Sequence, residues 1–163
     1  MIVVVMGVSG CGKSTVGTRL AQQIGATFLD ADDFHPPANV ERMRAGIALT
    51  DAERAPWLHA LAARLAAAGA ADESVVLACS ALKRSYRDAL RRGAPALTLV
   101  HLTGSPALLA ERITARPGHY MPPTLLPSQL ATLEPPGADE QAITLDVAAS
   151  TDDLVAEICE QLP

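Results

Sequence analysis

Aromatic residues are scarce in this chain: one Trp, two Tyr and two Phe make up 3% of 163 residues. The core must therefore be built from Ala, Leu, Val and Ile, within a hydrophobic share of 49%. Cysteine is scarce too. Cys11, Cys79 and Cys159 are odd in number and form no C-x-x-C pair. That argues against a disulfide framework or a zinc site and for a reducing compartment. No apolar run reaches the roughly 18 residues needed to cross a bilayer. The stretch Met1 to Met6 is too short for a signal-peptide core. A cytoplasmic protein with no membrane partner is expected. Excess basic charge is also missing. The net charge is −5, which argues against general affinity for nucleic acid. The length suits one domain, over residues 1–163, with room for a core.

What is present begins at residue 7. Gly7-Val8-Ser9-Gly10-Cys11-Gly12-Lys13-Ser14 fits G-x-x-x-x-G-K-[ST] at every fixed position. The β-branched run Ile2-Val3-Val4-Val5-Met6 precedes it, and Val16, Leu20 and Ile24 follow at helical spacing. Strand, glycine-rich loop and helix together form the setting in which this pattern binds phosphate. The loop N–H groups and the helix N-terminus point into one concavity. Gly10 and Gly12 are expected in backbone conformations that a side chain would hinder. Gly7, Val8, Ser9, Gly10, Cys11, Gly12, Lys13, Ser14 and Thr15 are the candidate nucleotide-binding set. Lys13 would reach the β- and γ-phosphates of ATP, and the Ser14 hydroxyl would ligate Mg²⁺.

Further apolar runs alternate with helical patterns. Strands are expected at Thr27–Leu29, ending at Asp30, then at Ser74–Cys79, Ala96–Leu102 and Ala142–Val147. They lack clean alternation, as strands buried on both faces do. Asn39 can cap a short helix through Arg44. Thr50-Asp51-Ala52-Glu53 reads as a capping box opening a long helix that Pro56 should kink or restart. Arg84–Arg92, a helix from Ser105-Pro106 and one from about Asp152 to Gln161 complete the set. The expected fold is a P-loop-type three-layer α/β/α arrangement: a five-stranded parallel sheet with helices on both faces. The Pro- and Gly-rich stretch of roughly 116–137 reads as a mobile lid.

Asp30 and Asp32 follow the second strand, at the sheet edge where the phosphate loop opens and ligands gather. One can hold the Mg²⁺ hydration shell, while the other accepts a hydroxyl proton from the nucleophile. Ser80, Lys83 and Arg87 follow the third strand and would bring positive charge to an anionic acceptor. Arg84, Arg91 and Arg92 read as a solvated basic face. Arg112 and Arg116 lead into the lid and could neutralise charge on the transferring group. His35 is well placed beside the Asp pair, and His119 is a lid-side candidate. His59 and His101 show no evident role. The third strand ends in Cys79-Ser80 and lacks the acidic residue of the second nucleotide motif. Small-molecule kinases often manage without it.

With these residues in view the chain resembles the small P-loop gluconokinases over nearly its whole length. The markers are the phosphate loop, Phe28-Leu29-Asp30-Ala31-Asp32-Asp33-Phe34-His35-Pro36, Leu49-Thr50-Asp51, Arg54 and Pro56-Trp57-Leu58. Cys79-Ser80-Ala81-Leu82-Lys83-Arg84-Ser85-Tyr86-Arg87-Asp88, Arg116-Pro117-Gly118-His119-Tyr120-Met121 and Thr132-Leu133-Glu134-Pro135-Pro136 extend the match. The Cys-Ser-Ala-Leu-Lys block together with Asp-x-Asp-x-x-His-Pro is the specific part. The resemblance implies transfer of the γ-phosphate of ATP to the 6-hydroxyl of D-gluconate with Mg²⁺, giving 6-phosphogluconate for the pentose phosphate and Entner–Doudoroff routes. It also implies a homodimer. Similarity in fold to shikimate kinases implies that Asp32 meets the acceptor hydroxyl, with Asp30 supporting Mg²⁺. Arg112 would then stack on adenine and Arg116 reach the phosphates. Asp32, His35, Arg54, Ser80, Lys83, Arg87 and His119 are the candidate gluconate residues, with the carboxylate near Arg54 or Lys83. Cys11 and Leu130 depart from relatives, which commonly have serine and an aromatic residue there.

Two other readings compete. The acceptor could be shikimate-like or a nucleoside monophosphate, which a substrate panel would show. The chain could instead be a nucleotide-binding regulator, which would bind ATP without forming product. The Asp pair and the lid arginines speak against the regulator.

Overall fold

The computed structural model describes residues 1–115 and 122–163. In chain order it forms β1 (Ile2–Met6), α1 (Lys13–Ile24), β2 (Thr27–Asp30), α2 (Pro37–Arg44) and α3 (Asp51–Ala70). Then come β3 (Val75–Ala78), α4 (Arg84–Gly93), β4 (Thr98–Thr103), α5 (Pro106–Thr114), α6 (Leu126–Thr132), β5 (Ile143–Asp146) and α7 (Thr151–Gln161). The strands form one sheet in the order β2-β3-β1-β4-β5, and all pairings are parallel. β1 sits in the middle, so Gly7 enters its loop from the best-protected strand. Val3, Val4, Val5 and Met6 are all fully buried.

Alternate side chains of the strands feed two cores, as the period-two geometry of a strand requires. Val3, Val5, Val76, Val100 and Leu102 pack against Leu20 of α1, Leu109 of α5 and Ile158 of α7. Val4, Met6, Leu77 and Leu99 face the other way, onto Trp57, Leu61 and Leu65 of α3 and Leu90 of α4. The three-layer expectation is met. Trp57 is the single tryptophan. It is buried, and its indole N–H donates to the Ala31 carbonyl at 2.7 Å. This ties α3 to the turn that follows β2.

The Thr50–Glu53 capping box is present in both directions. Three local expectations are corrected. Asn39 does not cap α2. Pro36 holds the cap position, and Asn39 lies inside the helix with its amide donating to the Glu53 carbonyl at 3.0 Å. Pro56 does not interrupt α3. It lies one turn from the helix start, and the missing N–H frees only the Ala52 carbonyl, on an exposed residue. The stretch expected as a lid is not uniformly loop. Pro123–Leu125 form a 3₁₀ turn and α6 follows directly, with Leu125, Leu126 and Gln129 buried. Residues 116–121 of that stretch lie outside the described residues. Among the described residues no helix is long and apolar enough to cross a membrane.

Candidate active site

The carboxyl ends of β1, β2 and β3 meet at one edge of the sheet, and the loop 7–14 closes over it. Gly10 and Gly12 take φ of 82° and 89°, the left-handed region that favours glycine. At Gly10 space is a second constraint, since a Cβ would meet Ile113 Cγ1 at 2.7 Å and the Leu109 carbonyl at 2.8 Å. The Gly7 N–H donates to the Ser80 carbonyl at 3.3 Å, which ties the loop to the end of β3. Lys13 opens α1 and its ammonium donates to the Val8 carbonyl at 3.1 Å, across the loop. Val8 and Cys11 are buried and serve packing.

The two carboxylates reach this cleft. Ser14 Oγ donates to Asp30 Oδ2 at 2.7 Å, and Asp30 Oδ1 accepts the Asp32 N–H at 3.0 Å. Lys13, Ser14, Asp30, Asp32, Cys79, Ser80 and Gln129 all line the same cleft. A hydroxyl beside a carboxylate is a hard oxygen donor set of the kind Mg²⁺ takes, the remaining positions going to water and phosphate. The residues present therefore fit the metal. Cys79 is inert here. Burial pushes its thiol up to about 12, with the nearby Asp32 carboxylate adding to the effect.

On one side of the loop, Thr15 and Arg112 line a groove with Val147 and Ser150. Arg112 donates to the Val147 carbonyl at 2.7 Å, which holds it at the wall of this groove beside the loop. On the other side, Arg54 lines a pocket with Met43, Leu49, Leu82 and Gln129. Arg54 donates to the Leu49 carbonyl and to the Tyr86 hydroxyl, which donates to Asp51. His35 stacks on Trp57 with ring centroids 4.3 Å apart and 12° between planes. Burial, and then the positive charge of Arg54, lower its pKa to about 4. It is a neutral imidazole near pH 7, and its buried Nδ1 has no hydrogen-bond partner.

The basic residues after β3 behave differently from expectation. Lys83 caps α4 and its ammonium meets both Asp51 carboxylate oxygens, at 3.0 and 3.1 Å. It lines neither the phosphate cleft nor the Arg54 pocket. Arg87 is corrected outright. Its side chain is 1% exposed and forms a two-pronged pair with Glu140, both bonds 2.7 Å. Its remaining donors hold the Ala81 and Leu82 carbonyls at 3.1 and 3.2 Å. No acceptor can reach it, and it supports the turn that carries Ser80. That turn needs support, because Ala81 has φ 44° and is fully buried. Arg84 also departs from a purely solvated role, since it binds Asp139 and Asp88. Arg116 and His119 lie outside the described residues.

Sequence reading missed Gln129, Asp51 and Glu140. Asp51 was legible only as a helix-start residue. Gln129 and Glu140 carry no local signal, because their partners are 120 and 53 positions away.

Comparison with known proteins agrees with this geometry. The family model described as an AAA domain matches residues 2–136. A gluconokinase of Gluconobacter oxydans is 50% identical over 155 residues, spanning 95% of this chain and 87% of its own length. The solved structure of a gluconokinase from Sinorhizobium meliloti superposes with a TM-score of 0.85 at 50% identity, covering 95% of this chain and 87% of that one. A sugar kinase from Janibacter sp. HTCC2649 gives a TM-score of 0.94 at 45% identity, over 98% and 92% of the two chains.

Proposed function

Because the chain belongs to the gluconokinase family, we infer that it transfers the γ-phosphate of ATP to the 6-hydroxyl of D-gluconate. The observation that carries the chemistry is the Ser14–Asp30–Asp32 arrangement beside Lys13, with a cationic pocket next to it. The loop N–H groups cradle the phosphates. Lys13 exchanges the Val8 carbonyl for the β- and γ-phosphate oxygens, a stronger, charge-assisted partner. Arg112 lies along the nucleoside, and Arg116 completes the charge on the phosphates.

Mg²⁺, when bound, neutralises charge on the phosphates and orients the γ-phosphoryl group. Ser14 would hold it, with Asp30 supporting its hydration shell. Asp32 receives the proton of the 6-hydroxyl as the new P–O bond forms and the bond from the γ-phosphorus to the bridging oxygen breaks, leaving ADP. Arg54 is the choice for the gluconate carboxylate, since Lys83 is already paired with Asp51 and Arg87 is buried. His35 and Ser80 contact the hydroxyl chain. With Nδ1 buried, the neutral ring offers the hydroxyl chain its other nitrogen, without adding charge beside the acceptor. His119 is a further candidate partner for the acceptor. The enzyme works as a cytoplasmic homodimer, without nucleic-acid or membrane partners.

The acceptor is tested by a panel. With ATP and Mg²⁺ present, D-gluconate, shikimate and a nucleoside monophosphate are compared by kcat/KM. Gluconate is expected to exceed the others by at least about a hundredfold, because buried polar groups matched to one acceptor reject others strongly. A higher kcat/KM for shikimate or the monophosphate would overturn the assignment.

A further inference from the structure

Gln129 is the one residue that lines both the phosphate cleft and the Arg54 pocket among those described. It comes from α6 and is 8% exposed. Its Oε1 accepts the Ser9 N–H at 2.7 Å, and its Nε2 donates to Ser9 Oγ at 3.3 Å. These two bonds go to one loop residue, 120 positions away. A primary carboxamide accepts from an N–H and donates to a hydroxyl side by side. A carboxylate only accepts, and a thioether does neither usefully. The amide held in this way belongs to the loop whose N–H groups meet the phosphates. The loop's other ties lie on either side of Ser9, the Gly7 N–H on the Ser80 carbonyl and the Lys13 ammonium on the Val8 carbonyl, so Gln129 is what holds Ser9 itself from outside the loop.

We propose that Gln129 is a positioning residue that clamps Ser9. Through it the helix flanking the acceptor pocket sets the orientation of the donor loop. The proposal rests on the gluconate kinase reading for its activity arm. Occupying the acceptor pocket then steadies the loop, and the loop steadies the pocket wall, so each substrate binds better when the other is present. The clamp acts on alignment of the γ-phosphate more than on affinity for either substrate alone, so its loss falls on kcat.

The test uses Gln129→Met, which keeps the volume of a buried side chain, with Ser9→Ala as the milder change that removes only the Nε2 bond. For Gln129→Met, kcat is expected to fall about tenfold or more while each KM rises by no more than about threefold, the small rise being the lost coupling between the substrates and the large fall the lost alignment. Ser9→Ala should fall between that variant and the parent. The ratio of ADP affinities with and without gluconate, measured by titration calorimetry, should move toward unity in Gln129→Met. A second readout needs no acceptor. Amide hydrogen exchange over residues 7–15 of the unliganded protein should quicken in Gln129→Met, with the sheet strands unchanged. Parent-like exchange in the loop would overturn the clamp even if gluconate were not the acceptor. Parent-like kcat with quickened exchange would overturn its part in transfer. An inactive parent with gluconate would instead strike the kinase reading.

Discussion

Replacing Arg87 by Met removes one half of the buried ion pair and strands the other. Glu140 would keep Arg91 at 2.9 Å and the Gly137 N–H at 3.2 Å, but lose both 2.7 Å bonds to Arg87. Breaking a buried pair costs about 3–5 kcal/mol when the remaining charge has no other partner; the retained Arg91 contact lowers that here, yet the loss stays a sizeable part of the roughly 5–15 kcal/mol that holds a domain together. Removing Glu140 as well, in Arg87→Met/Glu140→Met, takes away the stranded charge. What remains is the Ala81 carbonyl without its donor, at about 1–3 kcal/mol, together with the Gly137 N–H and the partly exposed Arg91 without their Glu140 acceptor. The Leu82 carbonyl still has the Glu134 N–H at 2.8 Å. The double variant should therefore be more stable than Arg87→Met alone. Urea unfolding at pH 7, followed by the fluorescence of buried Trp57, reads both. A loss below about 1 kcal/mol in the single variant, or strictly additive losses in the double, would refute the reasoning. The pair also has a pH signature. Hydrogen bonds from Arg87 hold the Glu140 carboxyl down at about 2, against an ordinary 4.5. A depressed carboxylate contributes stability that is full above about 4.5 and is lost as pH falls through about 2. In Glu140→Gln that acid limb should flatten.

Lys13→Ala should keep the fold, judged by circular dichroism, and lose about a hundredfold or more in kcat, as for other preorganised charges at a reacting phosphate. Asp32→Asn should lower kcat by about a hundredfold in steady-state assays, the typical loss for a positioned base; an unchanged kcat would move that role to Asp30. Arg54→Ala should raise KM for gluconate by more than tenfold if it holds the carboxylate through a charge-assisted bond of about 1.5–3 kcal/mol, while Lys83→Ala should change it little. His35 has its pKa lowered from 6.5 to about 4, so the fold favours its neutral form. That contribution is complete above about 6.5 and declines as pH falls toward 4, and urea midpoints across this range should show a shallower decline in His35→Gln.

The phosphate loop, the parallel sheet and the two carboxylates were legible because their signals are local. A loop of fixed spacing sits between a β-branched run and a helical stripe, and Asp30 and Asp32 stand at a strand end, where topology sends them to the same edge. The capping box at Thr50 was legible for the same reason. Arg87 was misread because a basic residue after β3 can reach the sheet edge by spacing alone. Only the fold reveals Glu140, brought over α4 by the segment that leads into β5. Lys83 was misread in a milder way, since Asp51 lies 32 positions away and reaches it only through the packing of α3 on α4. The 116–137 stretch looked like loop because it is rich in Pro and Gly. Leu125, Leu126 and Gln129 nevertheless give α6 a buried face, and tertiary packing outweighs weak propensity.

The central claim is phosphoryl transfer from the loop-bound nucleotide to gluconate. The most direct measurement is a coupled assay with ATP, Mg²⁺ and D-gluconate, in which 6-phosphogluconate dehydrogenase and NADP convert the product and NADPH is followed. The expected signal requires gluconate and disappears in Lys13→Ala. ATP binding without any gluconate-dependent NADPH in the parent protein would contradict it.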